Sequence, residues 1–178
     1  MDYINGSLYL SGMMKGGFAP YGEEEARIAS KSTPLNGFVI KCDASNGEWL
    51  GGVSADEQGI GGYFGVAKGK ENNLYAYGYS WATPNKGICL TTIDESSWKK
   101  TEKIALITET GMGTAWSCLA DGTNFYSFSR GNKAVNFYNS EFTLPAPTGW
   151  GMFISSWKLD DIATGIETPN LAGNDTRI

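Results

Sequence analysis

Asn72-Asn73-Leu74-Tyr75-Ala76-Tyr77-Gly78 is a polar turn that runs into an apolar-aromatic strand, and the chain uses the same design twice more. The counterparts are Asn5-Gly6-Ser7-Leu8-Tyr9-Leu10-Ser11-Gly12 and Asp121-Gly122-Thr123-Asn124-Phe125-Tyr126-Ser127-Phe128. Leu8 and Leu74 are 66 residues apart, and Leu74 and Phe125 are 51 apart. Self-similarity on this scale marks stacked supersecondary units. After a loop of varying length, each unit continues into a further strand that ends in an acidic or Asn turn, at residues 37–43, 87–94 and 134–139. The turns lead to Trp49 and Trp98 in the first two units. A strand ahead of the polar turn is visible in the second and third units, at Gly65-Val66-Ala67-Lys68 and Trp116-Ser117-Cys118-Leu119. In the first unit it is missing, because the chain begins there.

Outward from these units the pattern is the same. Aromatic and β-branched residues come about five at a time between Gly, Asn, Asp and Pro, the mark of short strands. Strands are predicted at 7–11, 38–42, 64–68, 74–79, 87–93, 103–107, 114–119, 125–128, 134–138 and 152–159. The one helical signal is Glu23-Glu24-Glu25-Ala26-Arg27-Ile28-Ala29. The class is therefore all-β: a sandwich, a barrel or a propeller. The repetition favours propeller-like repeats of antiparallel four-stranded sheets, with about three blades present. A β-sandwich or partial barrel is the alternative. Residues 1–160 form one repeat domain, and 161–178 a polar tail.

Composition bounds the chemistry. The chain has 178 residues and no histidine, which excludes Ser-His-Asp and Cys-His nucleophiles and His-ligated metal or haem sites. Its net charge of −5 lacks the basic excess of a nucleic-acid binder. No apolar run is long enough for a membrane span or a signal peptide, so the chain reads as soluble and uncleaved, or as given without its signal. Cys42, Cys89 and Cys118 have no metal-knuckle or redox spacing and read as small buried hydrophobes.

Residues 37–49, Gly37-Phe38-Val39-Ile40-Lys41-Cys42-Asp43-Ala44-Ser45-Asn46-Gly47-Glu48-Trp49, followed by Gly65-Val66-Ala67 and Asn73-Leu74-Tyr75-Ala76-Tyr77-Gly78, resemble the blades of bacterial β-propeller repeat proteins of the PQQ-like kind. The resemblance covers roughly residues 1–160 and is clearest over 37–79. It implies four-stranded sheets around an axis that serve as a binding platform. It carries no cofactor residues over, and no cofactor or metal is expected. Closure takes four to eight blades, so the remaining blades would come from a longer chain or from a homo-oligomer. Ile162-Ala163-Thr164-Gly165-Ile166-Glu167 and Thr176-Arg177-Ile178 resemble the start of the C-terminal sorting region of secreted Bacteroidota proteins. That implies a secreted or cell-surface protein, with the periplasm as the other location.

Without histidine, catalysis would fall to carboxylates. Glu23–Glu25, Asp56-Glu57, Asp94-Glu95 and Asp160-Asp161 are pairs or runs in predicted turns, where acids are normally solvated. Asp43 and Asp94 read as turn residues that accept backbone N–H groups. Thr92-Ile93-Asp94-Glu95-Ser96-Ser97-Trp98 resembles the Asp-box turn of sialidases, one residue short and with Ser for Gly. The aromatics are the stronger lead. Tyr63, Tyr79, Trp81, Trp116 and Trp150 lie at predicted strand ends or in loops, where a ring face can stack on a sugar or pack on a partner protein. The favoured reading is a non-catalytic, exported binding or scaffolding module that takes a glycan or protein partner at these five rings. A carboxylate-dependent glycoside hydrolase or lyase and a purely structural adhesion protein are the alternatives.

Overall fold

The computed structural model describes residues 1–17, 19, 28, 35–55, 60–80, 87–109, 113–137 and 143–159. Strands β1 (Asp2–Ile4) and β2 (Ser7–Met14) form a hairpin on Asn5-Gly6. Both turn residues have positive φ, 49° and 81°, the geometry that matches the twist of a two-residue hairpin. Strands β3 (Asn36–Asp43) and β4 (Trp49–Ser54) complete a first antiparallel sheet in the order β1-β2-β3-β4.

A second meander follows: β5 (Ile60–Lys68), β6 (Asn73–Ser80), β7 (Gly87–Asp94) and β8 (Lys99–Glu109). A third begins with β9 (Gly113–Ala120) and β10 (Asn124–Gly131). There the chain leaves its sheet. Strands β11 (Val135–Phe137) and β12 (Thr143–Leu144) extend the central sheet beyond β8, and β13 (Gly151–Lys158) returns to pair with β10. The sheets are thus β1-β2-β3-β4, β12-β11-β8-β7-β6-β5 and β13-β10-β9.

The all-β, antiparallel class is the one read from the sequence. The strand count per sheet departs from four because of the crossover after β10. The strand missing ahead of the first polar turn is present as β1, too short to register as a strand pattern. Strand β4 also escaped prediction, because Gly51-Gly52 interrupts its apolar run. Of the predicted helix, only Ile28 lies among the described residues, buried against Met14 and Ile40.

The sheets stack face to face, with the central sheet in the middle. Leu74 and Ala76 of β6 pack with Tyr9, Val39, Tyr63 and Ile93, between the first and central sheets. The alternate residues Tyr75 and Tyr77 pack with Phe125, Trp157 and Leu159, between the central and third sheets. Residues 74–80 are consequently buried without interruption, as in any strand covered on both faces. In β10 burial alternates, because only one face is covered.

Glu95 links the first and central sheets. Its Oε1 accepts from Tyr9 Oη of β2 and from Lys41 Nζ of β3, each at 2.5 Å. Oε2 accepts from Lys68 Nζ at the end of β5. Burial raises the proton affinity of Glu95, but the hydrogen bonds from Lys41, Lys68 and Tyr9 outweigh it and hold the carboxyl down at about 2.

Candidate functional site

The third sheet inverts the usual polarity of a surface sheet. In β10, Phe125, Ser127 and Ser129 point inward and are buried, whereas Tyr126 and Phe128 alternate outward. In β13, Ser155 and Trp157 are buried, whereas Met152 and Ile154 face solvent, 64% and 75% exposed. In β9, Leu119 faces outward and is 64% exposed.

The cause lies in the central sheet. Tyr75 and Tyr77 fill the space between the sheets, with ring centroids 6.2 and 5.8 Å from that of Phe125. Bulk on one side requires small residues opposite. Serine also supplies what a buried phenol needs: the Tyr77 and Ser129 hydroxyls are hydrogen-bonded, and Ser127 and Ser155 share a 2.7 Å bond. Burial raises the pKa of Tyr77, keeping that phenol neutral.

The outward side chains form cross-strand rows. Phe128 lies between Ile154 and Ser117, Tyr126 is opposite Leu119, and Arg130 is opposite Met152. Ser117, Leu119, Tyr126, Phe128 and Ile154 line a shallow hollow of about 120 Å³ on this face. At one end of the face Trp150 is 49% exposed, with the Arg130 guanidinium 4.6 Å from its ring centroid. Beside it, a cleft of about 200 Å³ is lined by Val135, Leu144, Pro145, Pro147 and Phe153, with Lys133 among its residues. At the other end, Asp121 accepts from Thr123 N and Asn124 N, and from Tyr126 Oη at 3.0 Å. The backbone N–H groups of Asn124 and Thr123 bring its carboxyl down to about 2, and the bond to Asp121 raises the Tyr126 phenol.

Of the five rings singled out by sequence, three have described side chains, and of these the structure brings Trp150 to this face. Tyr63 and Tyr79 are interior, 1% and 3% exposed, and present no ring face to a ligand. Tyr63 donates to Thr91 Oγ1 at 2.9 Å and packs between the first and central sheets. Both lie on β5 and β6, in a sheet covered on both sides, so a place near a strand end did not expose them. Trp81 and the Trp116 side chain lie outside the described residues. Sequence reasoning missed Leu119, Tyr126, Phe128, Met152 and Ile154. Their signal was the Tyr-Ser-Phe-Ser and Met-Phe-Ile-Ser-Ser alternation, which any reading with apolar residues inward assigns to the core.

Of the candidate acids, Asp43, Asp94 and Glu95 occupy structural posts, whereas Glu23–Glu25, Asp56-Glu57 and Asp160-Asp161 lie outside the described residues. Asp43 Oδ1 accepts from Ser45 N at 2.7 Å, and Asp94 Oδ1 from Ser96 N at 2.9 Å, the turn role read from the sequence. Glu95 is neutralised by two lysines. Among the described residues no cluster of His, Cys, Asp or Glu could hold a metal ion, and no helix is long and apolar enough to cross a membrane. The three cysteines are free thiols; Cys89 is buried and Cys42 and Cys118 are partly so. No protein-family model matches the chain, and no curated protein matches it.

Proposed function

We propose that this chain is a non-catalytic, exported binding or scaffolding module that docks a protein partner on the outer face of its third sheet. The inverted polarity of that sheet carries the reading. Leu119, Tyr126, Phe128, Met152 and Ile154 make a contiguous apolar surface where a solvated sheet would carry polar residues, and such surfaces mark association sites. The face is shallow, which suits a protein surface better than a small ligand. Trp150 and Arg130 at its end are residue types enriched at interface hot spots. The hydrolase reading has less support: no acid is among the described residues that line the hollow or the cleft of this face. The propeller reading draws support from the sequential stacking of the sheets, with β1, β5 and β9 each at a sheet edge. On that reading the third sheet's outer face is where a further blade would stack.

The test is co-purification from producing cells with wild-type chain and with the Leu119→Ser/Ile154→Ser double variant. A protein retained by wild type and lost with the variant is the expected result; equal retention, or none by either, sinks the proposal. A glycan at Trp150 is the second reading, motivated by its half-exposed ring. Oligosaccharide quenching of tryptophan fluorescence that Trp150→Ala abolishes would favour it.

A further inference from the structure

Exposed strand edges differ in how ready they are to pair with another chain, and short length, bulges and covering side chains blunt them. Strand β1 has three residues and β12 two. Strand β4 shifts register against β3 and contains Gly51 at φ 146°. Strand β5 has two register shifts, and the Asp2 carboxylate accepts from its Val66 N. Strand β9 shifts register against β10 and packs on β5. Among the described residues, strand β13 has none of these protections. It is eight residues long, pairs with β10 at eight consecutive positions without a shift, and has no described strand on its other side. It contains no proline, and its one charge is Lys158 at the end.

The direction of its free groups follows from one bond. Leu159 N donates inward to Thr123 O at 2.9 Å. Backbone groups alternate along an antiparallel strand. Residues 157, 155, 153 and 151 therefore bond to β10, and Met152, Ile154, Ser156 and Lys158 direct their N–H and C=O outward.

We propose that β13 is a pairing edge through which two copies of this chain associate antiparallel, joining their third sheets into one six-stranded sheet. A second copy fits because the strand is compatible with itself. The two central registers that match outward groups place Lys158 opposite Met152 or Trp150 of the other copy, so like charges do not meet directly. The pairing is isologous and closes as a two-fold dimer. It also joins the two apolar faces, because Met152 and Ile154 stand at the seam. The pairing uses backbone groups of the edge whereas the partner-binding face uses outward side chains, and Ser156 lies outside the apolar patch, so the two proposals fail separately.

Light scattering on the whole chain across a concentration series is the first measurement. The expected result is a mass near twice 19.2 kDa that falls toward one chain on dilution. Ser156→Pro removes an outward N–H and leaves the β10 ladder intact, as proline on an edge strand does. It should give a monomer whose urea midpoint equals that of the wild type at concentrations where both are monomeric, and a variant that stays dimeric would overturn the proposal. Amide exchange of the unmutated chain removes any dependence on that variant folding. Ile154 and Ser156 amides should be protected in the dimer and exchange at least tenfold faster on dilution. A wild-type monomer at every concentration would overturn the proposal, as would protection of those amides in a monomer, since the edge would then be covered within the chain.

Discussion

At position 51 the chain has no room for a side chain. Gly51 has φ 146°, a region that other residues rarely enter, and a Cβ there would overlap the indole of Trp98. Gly51→Ala should cost about 2–3 kcal/mol, combining backbone strain with displacement of the ring. A urea melt that moves by less than a few tenths of a kcal/mol would show the contact to be unimportant. Asp121 makes a second prediction. Its hydrogen bonds hold the ionised form, so an NMR titration should find its carboxyl still charged at pH 3, while the Tyr126 phenol titrates above its ordinary 10. Asn124→Ala should raise the Asp121 value, because it removes the side-chain donor to Oδ2.

Elements are joined by Glu95, which stands at the β7–β8 turn and reaches β2, β3 and β5. Its folded pKa lies below the ordinary value of 4.5. The stability it contributes is therefore complete above about pH 4.5 and is lost as pH falls toward about 2. The loss should be on the order of 1–2 kcal/mol after allowance for screening by solvent. Glu95→Gln should remove that acid-dependent component and lower stability at pH 7 by about 1–3 kcal/mol, because Lys41 and Lys68 would then face each other without a carboxylate. Unfolding melts of both proteins between pH 2 and 7 decide this: parallel curves would mean that Glu95 does not couple the sheets.

For the whole molecule, the division between core and face is measurable. Phe125 is fully buried between the central and third sheets, with Trp157 6.3 Å away between ring centroids. Phe125→Ala should lose about 3–5 kcal/mol. Leu119→Ser/Ile154→Ser should change stability by less than about 1 kcal/mol, measured at protein concentrations that keep the chain monomeric. It should also lower the binding of a hydrophobic dye. Comparable losses in the two variants would mean that the outer face is part of the core, and would remove the basis for a docking surface.

The sequence by itself determined the class, the turns and most of the strands. Asn5-Gly6 acts through its own positive φ angles, and Asp43, Asp94 and Asp121 through backbone N–H groups two or three residues away, so their effect is legible locally. The continuous burial of β6 was likewise implied by Leu74-Tyr75-Ala76-Tyr77, apolar on both faces. The tertiary structure alone decided which face of the third sheet turns inward. Alternation marks two faces on a strand without saying which is covered. Here the bulk of Tyr75 and Tyr77 claimed the inner space, drew the serines toward it and left Tyr126, Phe128 and Ile154 outside. The same nonlocal packing buried Tyr63 and Tyr79 and left Trp150 exposed. No window of sequence shorter than the two opposed sheets contains that information.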